Sequence, residues 1–255
     1  MDSLASRPYA LEMNRHREKL TAALHKLRPG KIRRALRRRW FELRISRLRR
    51  REAPGLEDLG SPYGGWTVPT ALIGEGWTAY SVGAGGDISF DLELARRFGA
   101  TVRAFEAVPE LVELAVRDGA GEPRFSAHHA AVATADGPLR MQRSHDEQSR
   151  SVSSAGLYES DLYVEVPGRE LASLMSELGD ERIDLLKLDI EGAEYELVPA
   201  LDMRRLGVKI FSVQVHHTGT VADARRLVAG LRRQGFELVG CRPAVKLTFA
   251  RAELL

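Results

Sequence analysis

The sequence predicts an α/β protein in which helices cover both faces of a mostly parallel, twisted sheet, with a basic helical arm at the N-terminus. From Trp77 onward, short apolar runs alternate with helix-like patterns, which is typical of strands buried between helices. Residues 28–51 carry twelve Lys and Arg against one acid, although the whole chain has a net charge of +3. A basic arm therefore precedes a net acidic body.

The arm has the spacing of an amphipathic helix. After the Pro29–Gly30 break, apolar residues recur at intervals of three and four and share one face: Ile32, Leu36, Trp40 and Leu43. Ala-Pro-Gly at 53–55 interrupts this pattern, and Ser-Pro-Tyr-Gly-Gly at 61–65 is typical of a linker or a tight loop. We predict an N-terminal extension over residues 1–58 and a main domain over residues 59–255.

Three partners suit the arm. An anionic membrane surface would bind residues 28–51 through an apolar stripe with arginines around it. Nucleic acid phosphates are a second partner, but no nucleic-acid motif accompanies the charge, so no specific nucleic acid is expected. We favour docking on the acidic body or on a second subunit, which would make the protein a homo-oligomer in the latter case.

Composition limits the class and compartment. No stretch approaches the ~18 uncharged apolar residues of a membrane span. The N-terminus lacks the apolar core of ~7–15 residues that a secretory signal needs, and the single Cys241 excludes a disulfide framework. We expect a cytoplasmic protein, peripheral at the membrane if the arm binds lipid.

The elements of the main domain follow from hydrophobic periodicity. Strands are predicted over residues 79–82, 101–105, 125–133, 162–166, 183–188, 210–215 and 236–239. Helices are predicted over residues 88–98, from Pro109, over 170–178, around Leu197 and Leu201, and over 221–233. The polar stretch 139–160 has no clear period, and we expect it to be a mobile excursion, either a lid or a solvated loop.

A glycine-rich turn follows the first predicted strand. Residues 81–87 are Ser-Val-Gly-Ala-Gly-Gly-Asp, and the glycines let the backbone approach a ligand at a helix N-terminus. We take Ser81, Gly83, Gly85 and Asp87 as candidate ligand-binding residues. Glu106 closes the next strand, where nucleotide-binding sheets place an acid that accepts hydrogen bonds from ribose hydroxyls. These features follow one another in the order strand, glycine turn, helix, strand and acid. This order predicts a nucleotide-binding site.

A second polar cluster follows a later apolar strand. Asp189 should lie at the carboxyl end of a central strand, where open α/β sheets bind ligands. A carboxylate at that place needs a partner to offset its desolvation. Glu191 and Glu194 begin the next helix, whose dipole stabilises acids; for Glu194 we favour that explanation over a functional role.

Two histidines follow another apolar strand. A histidine at a strand end is commonly structural, but an ordinary pKa of about 6.5 also makes it a proton acceptor at neutral pH. Because parallel strands end at one edge of the sheet, we expect His216 or His217 to lie in the active site with Asp189.

These motifs together resemble a known family. Tyr-Gly-Gly-Trp at 63–66 with Pro69, the stretch 80–91, the block 184–194 and the His-His pair are similar to the FkbM family of S-adenosylmethionine (SAM)-dependent methyltransferases. The resemblance covers about residues 60–240, and Lys-Leu-Asp-Ile-Glu-Gly at 187–192 is its most specific part. It implies a Rossmann-like class I methyltransferase fold, SAM as cofactor, and O-methylation of a hydroxyl on a sugar, glycan or natural product.

The resemblance also implies roles for single residues. Gly83, Gly85 and Asp87 would form the cofactor loop, Glu106 would hold the ribose, and Asp189 would lie beside the methionine part. One position departs from the family, whose second strand often ends in Asp with Thr-Pro soon after. Here the strand ends Phe-Glu-Ala-Val-Pro, and Glu106 preserves the ribose chemistry.

The predicted charge of the site suits this cofactor. SAM contains a sulfonium cation, and Asp87, Glu106, Asp189 and Glu191 would supply an acidic pocket for it. A hydroxyl acceptor must lose a proton during methyl transfer. We predict His216 as the general base, with Asp189 as the alternative or as its orienting partner.

Three alternatives stay open. Asp189, Glu191 and His216 are suitable ligands for a divalent cation, but no tight ligand spacing within one element supports a metal site, and we predict none. A NAD(P)-dependent oxidoreductase would reuse the glycine turn and Glu106, although the third glycine of the usual Gly-x-Gly-x-x-Gly spacing is missing. A non-catalytic binding protein would act through the basic arm.

Overall fold

The computed structural model describes residues 29–144, 152–155, 160–241 and 245–255 of the chain. Contacts divide the chain into two units, Met1–Phe41 and Glu42–Leu255. The predicted domain boundary after residue 58 stays a prediction. The part of the predicted arm that precedes residue 29 lies outside the described residues.

Six α-helices are found in the described part of the chain. They are α1 (Pro29–Ile45), α2 (Ser89–Phe98), α3 (Pro109–Gly119), α4 (Leu171–Leu178), α5 (Glu194–Ala200) and α6 (Val221–Arg233). Pro109 opens α3, where its missing N–H costs nothing, and Gly99 ends α2 in the left-handed conformation. Thr220 and Asp223 form a capping box at α6. None of these described helices has the length and hydropathy to cross a bilayer.

Thirteen strands are found in the same described ranges. They are β1 (Leu56–Leu59), β2 (Trp66–Pro69), β3 (Thr78–Val82), β4 (Thr101–Glu106), β5 (Phe125–His129), β6 (Ala131–Val132), β7 (Gly137–Arg143), β8 (Val152–Ser153), β9 (Tyr163–Arg169), β10 (Leu185–Leu188), β11 (Ile210–Gln214), β12 (Phe236–Cys241) and β13 (Lys246–Arg251).

Seven of the described strands form the central sheet, in the order β12-β13-β11-β10-β3-β4-β5. Within this sheet, each pair of neighbours among β11, β10, β3, β4 and β5 is parallel. Strand β13 is antiparallel to both of its neighbours, β11 and β12. From β3 the chain moves outward through α2 and α3, and from β10 it moves the opposite way through α5 and α6. Because such crossovers are right-handed, this reversal puts the two helix pairs on opposite faces. The predicted Rossmann-like architecture is confirmed.

An antiparallel hairpin of β1 and β2 precedes the central sheet. The stretch 61–65, predicted as a linker or tight loop, is the turn of this hairpin. Trp66 and Val68 of the hairpin belong to the same buried apolar cluster as Phe90 and Leu94 of α2. The hairpin is therefore part of the body, and its turn is held beside the start of α2.

A second, four-stranded sheet has the order β6-β9-β7-β8. It corrects two predictions. The strand expected over residues 125–133 is divided at Ala130 between β5 of the central sheet and β6 of this one. The polar excursion expected over residues 139–160 contains most of β7 and all of β8, while residues 145–151 and 156–159 lie outside the described residues.

The composition of β7 explains why the sequence predicts a loop there. Within this strand only Met141 is buried, and it packs with Val152 of β8 and Val166 of β9 on a small apolar cluster. The remaining side chains of β7 are exposed or half-buried and mostly polar. A strand with so short an apolar face lacks the alternation by which a strand is recognised in sequence.

Candidate active site

Four strands of the central sheet end at one edge, and the predicted site residues follow them. Gly83 follows β3, Glu106 ends β4, Asp189 follows β10, and His216 lies two residues beyond β11. Strands that follow β3 are added on one side of it, and strands that follow β10 are added on the other side. Open α/β sheets bind ligands at the point between two such strands. The structure thus places these four residues at the expected edge of the sheet.

The glycine turn brings β3 and β10 into close contact. Gly83 has a φ of 70°, and a Cβ atom there would lie 1.9 Å from the carbonyl oxygen of Asp189. The Gly83 carbonyl accepts a hydrogen bond from Nζ of the buried Lys187, at 2.6 Å. Gly85 has a φ of 64°, but nothing lies within 4 Å of the position of its Cβ. Gly83 therefore serves packing, and Gly85 borders open space.

Glu106 is joined to the glycine turn. Its carboxylate is buried, and Oε2 accepts a hydrogen bond from the Gly85 N–H at 2.9 Å. Oε1 accepts from the Val108 N–H at 3.0 Å. An ionised carboxylate has about four acceptor positions, so both oxygens keep capacity for a further donor. A vicinal diol such as that of ribose matches this remaining capacity.

Asp87 ties the hairpin turn to the start of α2. Its carboxylate accepts hydrogen bonds from Ser61 Oγ at 2.5 Å and from the Ser89 N–H at 3.0 Å. Burial raises the pKa of Asp87, but the hydrogen bonds from Ser61 and Ser89 outweigh burial and lower it overall. Asp87 is therefore ionised at neutral pH and holds residues 61–64 beside the glycine turn.

Asp189 and Glu191 lie on a tight turn after β10. The Asp189 N–H donates to the Val82 carbonyl at 2.9 Å, which fixes the turn against β3. Asp189 Oδ1 is buried and has no hydrogen-bond partner among the described residues. Glu191 has a φ of 49°, an uncommon conformation for a residue with a side chain, and its carbonyl accepts from Ser153 Oγ at 2.6 Å. Ser153 thus holds the strained residue in place.

His216 lies among three carboxylates. Its Nε2 is 3.7 Å from Asp189 Oδ1 and 3.4 Å from Glu191 Oε2. On the other side of the ring, Nδ1 is 3.3 Å from Oε1 of the buried Glu194, which also accepts the His216 backbone N–H at 2.6 Å. The favoured explanation of Glu194 as a helix-dipole acid is therefore incomplete, because Glu194 contacts the ring of the predicted base.

These contacts decide the charge of His216. Burial lowers its pKa, but close contact with Glu194 and the charges of Glu194, Asp189 and Glu191 together raise it to about 8. With Nδ1–H facing Glu194, Nε2 of the neutral ring accepts from Gln214 Nε2 at 3.1 Å and faces the Asp189 side. At pH 7 about a tenth of His216 is in this neutral form, which alone can accept a proton.

We expect the reaction rate to rise with pH and to reach a plateau above about pH 8, because the fraction of neutral His216 rises in this range. The midpoint of the rise should equal the pKa of His216. Glu194→Gln removes one negative charge and should move this rise to lower pH. Glu196→Gln, a change of an exposed residue on the same helix, should leave it in place. Initial rates between pH 6 and 9 test this, and an unmoved rise in Glu194→Gln would assign the titration to another group.

Two lysines at the site had no predicted role. Lys246 donates from Nζ to the carbonyls of Gly65, at 3.0 Å, and Tyr63, at 3.3 Å, and lies 4.7 Å from the centre of the Trp66 ring. Burial lowers its pKa, and the neighbouring charges of Asp189 and Asp87 oppose that effect. Lys187 is the second. The alternation of residues 246–251 was the available signal that Lys246 lies in a strand.

Several predicted roles are placed but not decided by the geometry. Ser81 is buried in β3, next to the strand's last residue. His217 is partly exposed beside His216. Ligand atoms of Asp189, Glu191 and His216 lie within 4.8 Å of one another, a spacing that a divalent cation could bridge. The absence of a metal therefore stays a prediction, as do the contacts of Ser81 with a cofactor.

The sheet order and the residues at its edge define a Rossmann-like class I methyltransferase fold. The model of the methyltransferase FkbM domain matches residues 79–238, more than half of the chain. The chain belongs to the FkbM methyltransferase family. This confirms the resemblance seen in the sequence, and the family implies SAM as the cofactor.

Individual relatives are more distant. The AMB antimetabolite synthetase AmbE of Pseudomonas aeruginosa is 42% identical over 74 residues, which are 28% of this chain and 4% of that protein. The chain thus spans a small part of this curated relative. The Methanococcus jannaschii fibrillarin pre-rRNA processing protein is 11% identical, with 71% of this chain and 68% of that chain covered and a TM-score of 0.43. The precorrin-6y C5,15-methyltransferase of Geobacter metallireducens GS-15 is also 11% identical. The match covers 71% of this chain and 85% of that chain, with a TM-score of 0.40.

Proposed function

We propose that the protein transfers the methyl group of SAM to a hydroxyl group of a sugar, glycan or natural product. Family membership supports methyl transfer. The observation that carries the choice of oxygen as acceptor is the histidine-carboxylate cluster at the edge of the sheet, because a hydroxyl must lose a proton and His216 is placed to take it.

The residues at the sheet edge fit SAM. Open space beside Gly85 leaves room for a ligand against the backbone, and Glu106 keeps acceptor capacity for the ribose hydroxyls. Asp189 Oδ1, buried and without a hydrogen-bond partner among the described residues, suits the ammonium or sulfonium end of the methionine part. When bound, SAM supplies an electrophilic methyl group on a sulfonium centre.

The chain's own residues contribute binding, orientation and proton acceptance. Glu106 and the glycine turn hold the nucleoside, and Asp189 holds the methionine part. Glu194 orients His216, whose Nε2 faces the Asp189 side and takes the proton of the acceptor hydroxyl once it no longer accepts the hydrogen bond from Gln214. Positioning of the reactants can contribute about 7–11 kcal/mol to such a reaction, and the general base about 10²–10⁴-fold.

Glu106→Ala is expected to weaken SAM binding by about 10- to 100-fold, because hydrogen bonds to a charged group are lost. Glu110→Ala, a change of an exposed glutamate at the start of α3, is the matched control and should bind as the wild type does. Titration calorimetry measures both. Equal affinities of the two variants would remove Glu106 from the cofactor site.

The reaction itself is tested with the purified protein, SAM and a panel of glycosides and hydroxylated natural products. Mass spectrometry should detect a product heavier than its acceptor by one methylene, together with S-adenosylhomocysteine. Methylation on nitrogen or carbon in the product would contradict the proposed acceptor. Calorimetry with SAM and NAD(H) in parallel addresses the oxidoreductase alternative, since binding of NAD(H) alone would overturn the proposal.

A further inference from the structure

Helix α1 presents an exposed apolar stripe. Leu36, Trp40 and Leu43 are 64%, 52% and 49% exposed, and their spacing of four and three places them on one face. Phe41 and Ile45 of the same helix are buried. Phe41 is five positions after Leu36, which at about 100° per residue puts it about 140° around the helix, so the buried side of the helix is a different face. The stripe is therefore a second apolar face and lies at the surface.

Exposed arginines lie on both sides of the stripe. At about 100° per residue, Arg37 and Arg44 are on one side of Leu36 and Trp40, and Arg39 is on the other. All three are exposed, and residues 47–51 continue the positive charge beyond the helix, with arginine at four of five positions. An aromatic and aliphatic stripe between cationic flanks is the arrangement that suits a helix lying in the plane of a membrane interface.

We propose that residues 35–51 bind the surface of an anionic lipid bilayer. Leu36, Trp40 and Leu43 enter the boundary between headgroups and acyl chains, where tryptophan is enriched, and the arginines on both sides contact lipid phosphates. The charge of the segment is complementary to anionic lipid. Phosphates of nucleic acid would satisfy the arginines but would leave the apolar stripe in water. This surface is independent of the proposed methyl transfer.

The chain carries its own probe for this binding. Of its three tryptophans, Trp40 is exposed, whereas Trp66 and Trp77 are 2% and 8% exposed. Vesicles of equal parts phosphatidylglycerol and phosphatidylcholine should sediment the full chain and shift its tryptophan emission to the blue. Pure phosphatidylcholine vesicles should do neither, and high salt should release the protein because charge attraction is screened. Trp40→Phe should keep the sedimentation and lose the blue shift.

Charge variants separate a local site from overall charge. The variant R37Q/R39Q/R44Q should lose about 100-fold in partitioning, at about fivefold per arginine. Glutamine is a good helix former, so the loss does not come from an unfolded helix. The control R96Q/R117Q/R226Q changes the net charge equally at exposed positions of α2, α3 and α6 and should bind as the wild type does.

An apolar variant completes the test. Leu36→Ser with Leu43→Ser should reduce binding although all charges remain, whereas Val116→Ser, at an exposed valine of α3, should not. Circular dichroism checks that the variants are folded. The proposal is overturned by equal binding to neutral vesicles, by equal losses in the charge control, or by tighter binding to an oligonucleotide at the same salt. A dimer that Leu36→Ser dissociates would assign the stripe to a second copy instead.

Discussion

His216→Gln is expected to slow methyl transfer by about 10²- to 10⁴-fold while SAM affinity stays nearly unchanged. Glutamine keeps a polar side chain between Asp189 and Glu194 but cannot accept a proton. His216 follows β11, whereas the residues proposed to hold the nucleoside follow β3 and end β4, so the change lies away from the proposed nucleoside contacts. Single-turnover rates and calorimetry with SAM measure the two quantities separately.

His217→Gln is the matched control for this prediction, because it makes the same change at the adjacent, partly exposed residue. It should turn over at nearly the wild-type rate. If His217→Gln were the inactive variant, the base would lie one position further along the chain and the reaction class would stand. A loss of SAM affinity in His216→Gln equal to that of Glu106→Ala would contradict the role of His216 as a base.

Gly83→Ala is expected to destabilise the fold by at least about 3 kcal/mol, which for a chain of this size lowers the melting temperature by roughly 10 °C. The added methyl group would lie 1.9 Å from the Asp189 carbonyl oxygen, a backbone atom that can move only if the end of β10 moves. The residue would also have to keep a φ of 70°, which costs about 1–2 kcal/mol more.

Gly85→Ala separates backbone strain from steric overlap. Its φ is similar, at 64°, but nothing lies within 4 Å of the added atom. It should cost only about 1–2 kcal/mol in the free energy of unfolding, yet weaken SAM binding by filling the space beside the backbone. Calorimetric unfolding of both variants is the measurement. Equal melting temperatures would show that β3 and β10 do not approach as described.

Much of the fold could be predicted because the parallel strands are short runs in which most residues are apolar. Residues 185–188 are buried, as are residues 210–213 and Val215, and such strands differ clearly from amphipathic helices. Strand β13 could not be recognised in this way, because its Lys246, Thr248 and Arg251 are buried polar residues. Arg251 donates to the carbonyls of residues 203, 208 and 234, partners that only the folded chain provides.

The sequence predicts which residues of the site stand at the ends of strands, but not the contacts between their side chains. The motif positions of Gly83, Glu106, Asp189 and His216 follow from where parallel strands stop. The role of Glu194 could not be predicted, since its contact with His216 joins the start of one helix to the end of a strand twenty-two residues later. In the sequence, the helix dipole alone is enough to explain a glutamate at the start of a helix, so nothing about Glu194 pointed to a further role.

The hydrogen bond from Ser153 to Glu191 has a consequence for exchanging segments between relatives. A chimera that imports a foreign insert between β5 and α4 would also replace the hydroxyl that supports a left-handed residue next to Asp189. Glu191, whose Oε2 lies 3.4 Å from Nε2 of His216, would then lose the support of its backbone unless serine or threonine were kept at position 153. An exchange of this segment would therefore change the surroundings of the proposed base even where His216 itself is retained.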